Sequence, residues 1–65
     1  MIQINGNEAM QAYGMSIADY LLSKGYVLSH IAVERNEVIV SKKDYADTRI
    51  QDGDVIEIVQ FMGGG

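Results

Sequence analysis

Between Ser16 and Gly25 the sequence spells one complete helix that is too short to stand alone. The Ser16 hydroxyl is placed to accept from an unpaired backbone N–H of the first turn. Asp19 stands where a capping box puts Glu or Gln, and its charge suits the positive end of the helix dipole. Met15 and Tyr20 occupy the two positions of a hydrophobic staple. Ile17, Tyr20 and Leu21 form the i, i+3, i+4 stripe of an amphipathic helix. Lys24 closes the last turn, and Gly25 fits the left-handed position that follows a helix. Two to three turns are marginal in water, so this stripe requires a sheet to cover.

The remaining segments read as that sheet. Ile2 and Ile4 alternate with Gln3, and Asn5-Gly6 then supplies the positive φ angles of a type I′ turn. The return strand is expected over Asn7 to Tyr13, with Met10 and Ala12 on one face and Gln11 and Tyr13 on the other. Ile31 and Val33 alternate with His30, Ala32 and Glu34. Arg35-Asn36 makes a polar turn into a short antiparallel partner, Glu37 to Val40. Ser41 to Asp47 is polar, anchored by Tyr45, and has room for a single helical turn. Asp52-Gly53-Asp54 is a turn signal. Val55 to Met62 is the longest strand, with Ile56, Ile58 and Met62 on one face and Val59 and Phe61 on the other. Strand, strand, helix, strand, strand, strand is an α+β order: a mixed sheet of about four to five strands with one helix across one face. The order of strands within the sheet does not follow from these patterns.

Composition narrows the function classes. A chain of 65 residues is one small domain. Chains of this size bury only about 60% of their unfolded surface, which leaves no room for a deep catalytic cleft beside the core. The net charge of −4 opposes nucleic acid and anionic lipid alike. There is no cysteine, which excludes a disulfide framework, a thiolate nucleophile and a cysteine-based zinc site. With no apolar stretch long enough for a bilayer or a signal peptide, a cytoplasmic domain is expected.

The ordinary chemistry of catalysis is thin. The one histidine, His30, is expected in a strand, on the face opposite Ile31 and Val33, without an orienting partner. The acidic pairs Glu34/Glu37 and Asp52/Asp54 flank turns and read as solvated residues, each pair offering too few oxygens for calcium or magnesium. The four tyrosines read as core or rim. No catalytic residue and no metal ligand is assigned, and the chain itself is expected to bind no cofactor.

What remains is Gly63-Gly64-Gly65. Glycines in a row hold no packed conformation, so residues 62–65 are expected to form a mobile tail on a domain spanning 1–61. From Met62 the tail would reach about 13 Å if extended. The composition leaves two readings of it open. One is a frayed end. The other is a thin carboxylate able to thread a partner's active-site channel, with Val59, Phe61 and Met62 as the apolar anchors that the partner buries. A carboxylate is a poor electrophile until activated, for instance as an acyl-adenylate made from ATP by another enzyme.

The strand order ending in Gly-Gly resembles the β-grasp, ubiquitin-like superfamily. The run from Asp52 through Val55-Ile56-Glu57-Ile58-Val59-Gln60-Phe61-Met62 to Gly65 is similar to the C-terminus of the ThiS family, the sulfur carriers of thiamine biosynthesis. Ile2-Gln3-Ile4-Asn5-Gly6 and Ala32-Val33-Glu34-Arg35-Asn36 also resemble that family, so the likeness covers the whole chain. A terminal Gly-Gly alone is shared with many carriers and modifiers. The resemblance implies a protein cosubstrate rather than an enzyme. An E1-like adenylyltransferase would activate Gly65, a cysteine-desulfurase relay would supply sulfur to give a thiocarboxylate, and thiazole synthase would accept it.

Three other readings stand beside this one. The molybdopterin synthase small subunit uses the same chemistry but is usually longer in the helix and following loop, so the short Ser16–Lys24 helix favours thiamine. A protein modifier would appear as conjugates on lysines. An inert interaction module would be indifferent to blocking the terminal carboxylate.

Overall fold

The computed structural model describes residues 1–61; Met62, Gly63, Gly64 and Gly65 lie outside the described residues. Two strands, β1 (Gln3–Ile4) and β2 (Asn7–Glu8), form a hairpin whose turn residues Asn5 and Gly6 have φ of 51° and 81°. Both values are positive, as the Asn-Gly signal requires. The helix α1 follows at Ile17–Ser23, then β3 (Ile31–Arg35), β4 (Val38–Val40) and β5 (Val55–Gln60). The sheet order is β2-β1-β5-β3-β4. β1 and β5 are parallel, and the other neighbours are antiparallel. A mixed five-stranded sheet with one helix on one face is the β-grasp arrangement.

The helix ends as its sequence dictates. Ser16 Oγ accepts from the Asp19 N–H at 3.0 Å. The two preceding amides, of Ile17 and Ala18, donate to the carbonyls of Thr48 and Tyr45 at 2.9 and 3.0 Å. The first turn is therefore tied to the segment between β4 and β5. At the other end the Gly25 N–H donates to the Leu22 carbonyl and the Tyr26 N–H to the Leu21 carbonyl, at 3.1 and 3.0 Å. These are the paired bonds of a Schellman motif, and Gly25 takes the left-handed φ of 82° that the motif needs.

The core fills the space between helix and sheet. Ile17, Tyr20 and Leu21 from the helix meet Ile2, Ile4, Ile31, Val33, Ile56 and Ile58 from the strands. Ala9, Ala12, Tyr45 and Ile50 close its sides. At roughly 1.5–3 kcal/mol per fully buried aliphatic side chain, this cluster is the main favourable term holding the fold.

Three expectations require correction. The return strand stops at Glu8 instead of running to Tyr13, and Met10–Ala12 forms a 3-10 turn. Ala9 and Ala12 are both buried while Met10 is exposed. That i, i+3 spacing suits a helical turn and cannot arise from alternation along a strand. The Met10 N–H donates to the Glu8 carboxylate at 2.6 Å, which starts the turn. Secondly, the β3–β4 turn sits one residue later than expected, on Asn36 and Glu37, with φ of 54° and 70°. Arg35 remains in β3. Thirdly, His30 is not in a strand. It ends a 3-10 turn, Leu28–His30, and is exposed. The turn expected near Tyr45 is present as Lys42–Asp44.

Candidate functional site

The strand that leads toward the glycine tail is held on both sides. β5 lies between β1 and β3, pairing with both. β1 is two residues long and ends before β5 does, and the Asn5 side chain takes over where it stops. Its Oδ1 accepts from the Ile58 N–H at 2.7 Å, and its Nδ2 donates to the Ile58 carbonyl at 3.3 Å. The amide thus imitates one more residue of parallel strand. Beyond the last paired residue of β5, the Phe61 N–H still donates to the His30 carbonyl at 3.0 Å. The backbone is thus anchored up to residue 61.

A second asparagine fixes the start of β5. Asn36 Oδ1 accepts from the Val55 N–H at 2.9 Å, and the Asn36 N–H donates to the Val55 carbonyl at 2.8 Å. Asn36 Nδ2 donates to Asp54 at 3.1 Å. Asp54 was expected to be a solvated turn residue; it is buried and is the hub of this corner. Arg35 Nε donates to it at 2.9 Å and the Gln51 N–H at 2.8 Å. Burial alone would push the Asp54 carboxyl up. The donors Arg35, Gln51 and Asn36, with the Arg35 charge, outweigh that and hold it below the ordinary carboxylate value. This corner is structural: its donors and acceptors are spent on one another.

Val59 and Phe61, two of the three residues expected to anchor a partner, are exposed, at 58% and 45%. Met62, the third, and the tail Gly63, Gly64 and Gly65 lie outside the described residues. Register adds what alternation missed. Ala32 sits opposite Val59, and Glu34 lies between Glu57 on β5 and Ile39 on β4. Ala32, Glu34, Ile39, Glu57 and Val59 are exposed and share the face turned away from the helix. Sequence proximity pairs Glu34 with Glu37 across a turn; its cross-strand neighbour is Glu57.

The described residues contain no group of three acidic, histidine or cysteine side chains placed to hold a metal ion. Among them no helix is long and apolar enough to cross a membrane. Of the tyrosines, Tyr20 and Tyr45 are buried. Burial, and for Tyr20 also the neighbouring Tyr26, pushes their hydroxyls up, away from acid–base use near neutrality. A cavity of about 330 Å³ opens beside the edge strand β4, between Val38, Val40, Asp44 and Thr48, not at the end of β5.

The model of the ThiS family matches residues 2–65. The chain belongs to the ThiS family. The sulfur carrier protein ThiS of Bacillus subtilis (strain 168) is 39% identical over 66 residues, covering 100% of both chains. The crystal structure of a thiamine biosynthesis protein (ThiS) from Geobacter metallireducens superposes with a TM-score of 0.76 at 27% identity, covering 98% of this chain and 97% of that one. A thiazole synthase of Paramagnetospirillum magneticum is 44% identical over 62 residues, which is 95% of this chain. The chain spans about a fifth of the thiazole synthases it matches, 19% and 20% of their lengths. The ThiS family thus accounts for the fold.

Proposed function

We propose that this protein carries sulfur for the thiazole of thiamine on the carboxylate of Gly65. The carboxylate attacks the α-phosphorus of ATP on an E1-like adenylyltransferase, and pyrophosphate leaves. The terminal sulfur of a persulfide supplied by a cysteine-desulfurase relay then attacks the acyl carbon and displaces AMP, giving an acyl disulfide. A thiol cleaves its S–S bond, forming a disulfide and releasing the thiocarboxylate on Gly65, and thiazole synthase accepts that sulfur. The chain acts as a protein cosubstrate. It binds no cofactor of its own, and ATP belongs to the activating partner. The setting is cytoplasmic, where a thiocarboxylate is not exposed to an oxidising compartment.

The observation that carries this reading is the end-to-end match to a sulfur carrier of the same family. Two others support it. Thiazole synthases contain a stretch 44% and 36% identical to this chain, which fits a shared pathway. The β5 strand, clamped by Asn5 and Asn36, provides a firm base for a glycine tail that enters partner active sites. The tail's lack of side chains suits a narrow channel.

The test is intact mass with fragment mapping, after incubation with the host's E1-like enzyme, ATP and a sulfur donor. The expected result is one oxygen-to-sulfur replacement at Gly65. Deleting Gly65 should abolish it while leaving the thermal melt in place. An unmodified mass in the complete reaction would refute the carrier reading.

A further inference from the structure

Asn5 combines two roles that oppose each other chemically. Its carboxamide clamps β5, accepting from the Ile58 N–H at 2.7 Å and donating to the Ile58 carbonyl at 3.3 Å. Its own peptide N–H donates to the Ile56 carbonyl at 2.9 Å. It is also followed by Gly6, which the turn needs at a φ of 81°. An asparagine followed by glycine is the pair most open to attack on its own side chain, because no Cβ shields the glycine nitrogen or restricts its approach. Asn36 clamps the start of β5 in a similar way, from a φ of 54°, but Glu37 follows it. Asn7 is followed by Glu8. Of the three asparagines in the chain, Asn5 alone joins a clamp to a following glycine.

We propose that Asn5 is a modification site, converted to aspartate and isoaspartate by attack from Gly6, and that pairing with β5 gates the conversion. The Gly6 nitrogen gives up its proton and attacks Asn5 Cγ. A C–N bond forms, the Cγ–Nδ2 bond breaks, and ammonia leaves behind a cyclic imide. Water opens that ring at either carbonyl. One opening yields aspartate; the other yields isoaspartate, in which the main chain runs through the former side-chain carbon. The ring closes only when the carboxamide can turn onto the Gly6 nitrogen. While both bonds to Ile58 stand, the amide is held against β5 and its leaving nitrogen is occupied as a donor. Conversion therefore requires the hairpin to part from β5. Asn5 and Gly6 are exposed, so water reaches the imide. Isoaspartate cannot restore the clamp, because it has lost the amide N–H and carries its carboxylate on a lengthened backbone. Ile58 then loses its side-chain partner, in the strand that leads toward the glycine tail. This chemistry is independent of the carrier reading.

The experiment incubates the full chain in neutral buffer and follows Asn5, Asn7 and Asn36 by peptide mapping, with isoaspartate located by fragmentation. The chain in urea and a capped peptide spanning residues 2–8 serve as unconstrained references. In both references conversion should concentrate at Asn5. In the folded chain it should be about thirtyfold slower, equivalent to about 2 kcal/mol, because both bonds to Ile58 must open first. The isoaspartate form, separated by charge, is then compared with the unmodified chain by hydrogen exchange. Its Ile58 amide should exchange about tenfold faster. Equal rates in the folded chain and the peptide would overturn the gating. Conversion at Asn36 ahead of Asn5 in urea, or none at all there, would overturn the site. An Ile58 amide equally protected in both forms would overturn the link to β5.

Discussion

Replacing Asp54 with alanine should remove a large part of this protein's stability. The carboxylate is 5% exposed and accepts three hydrogen bonds, from Arg35 Nε, Asn36 Nδ2 and the Gln51 N–H. A neutral donor to a charged acceptor contributes roughly 1.5 kcal/mol or more, and truncation leaves such donors without a partner. Asn36 and Gln51 together therefore account for at least about 3 kcal/mol. The Arg35 side chain is 32% exposed, so water recovers most of its loss and it adds about 0.5–1 kcal/mol. The sum is about 3.5–4 kcal/mol, against roughly 3–10 kcal/mol expected for a whole domain of this size. Urea unfolding at neutral pH would show it as a midpoint shift without a change of slope. A loss under 1 kcal/mol would refute the reasoning that Asp54 organises the corner. The pH dependence is a separate check. The folded carboxyl titrates below its ordinary value of 3.8, so its contribution is complete above that value and is lost as pH falls through the lower, folded value. Asp54→Asn should flatten the acid limb of the stability curve below about pH 4. A residual slope is expected from Asp52, which its hydrogen bond and charge attraction to the N-terminal amine also hold low.

Three further outcomes follow from the packing. Asn5→Ala removes both side-chain bonds to Ile58 and leaves alanine at a positive φ; it should cost about 2–3 kcal/mol and speed hydrogen exchange at the Ile58 amide selectively. Ser16→Ala should cost about 1 kcal/mol in thermal unfolding through loss of the helix cap to Asp19. Tyr45→Ala should cost about 3–5 kcal/mol, close to unfolding the chain, because the buried ring leaves a cavity at the side of the core; circular dichroism at ambient temperature would show the loss.

Local rules wrote much of this fold. Ser16 and Gly25 bounded the helix, Asn5-Gly6 set the first turn, and alternation in β5 separated Ile56 and Ile58 from Val59 and Phe61. Each is decided by backbone conformations or side-chain spacing within a few residues, which is why each was legible. The resemblance of the chain to the ThiS family was legible too, since it rests on contiguous residues. The return strand is where alternation misleads: Ala9 and Ala12 are both buried, and a strand does not place residues three apart on one face. Nothing near Glu8 in the chain shows that the core takes both Ala9 and Ala12, so alternation predicts a longer return strand than forms.

Which strands are neighbours follows from packing across the whole chain, and with it the make-up of the exposed sheet face. Parallel pairing of β1 with β5 joins residues some fifty positions apart, as in Gln3 with Val55. No periodicity encodes that choice, because it depends on which arrangement buries the helix stripe and leaves fewest backbone groups unpaired. The same pairing turned Asp54 from a turn residue into a buried hub, and set Glu34 against Glu57. Side-chain spacing along the chain sufficed for the helix, the first turn and the inward faces of β3 and β5. Three-dimensional register determined which charges must face one another, since a charge acts through space and not along the chain.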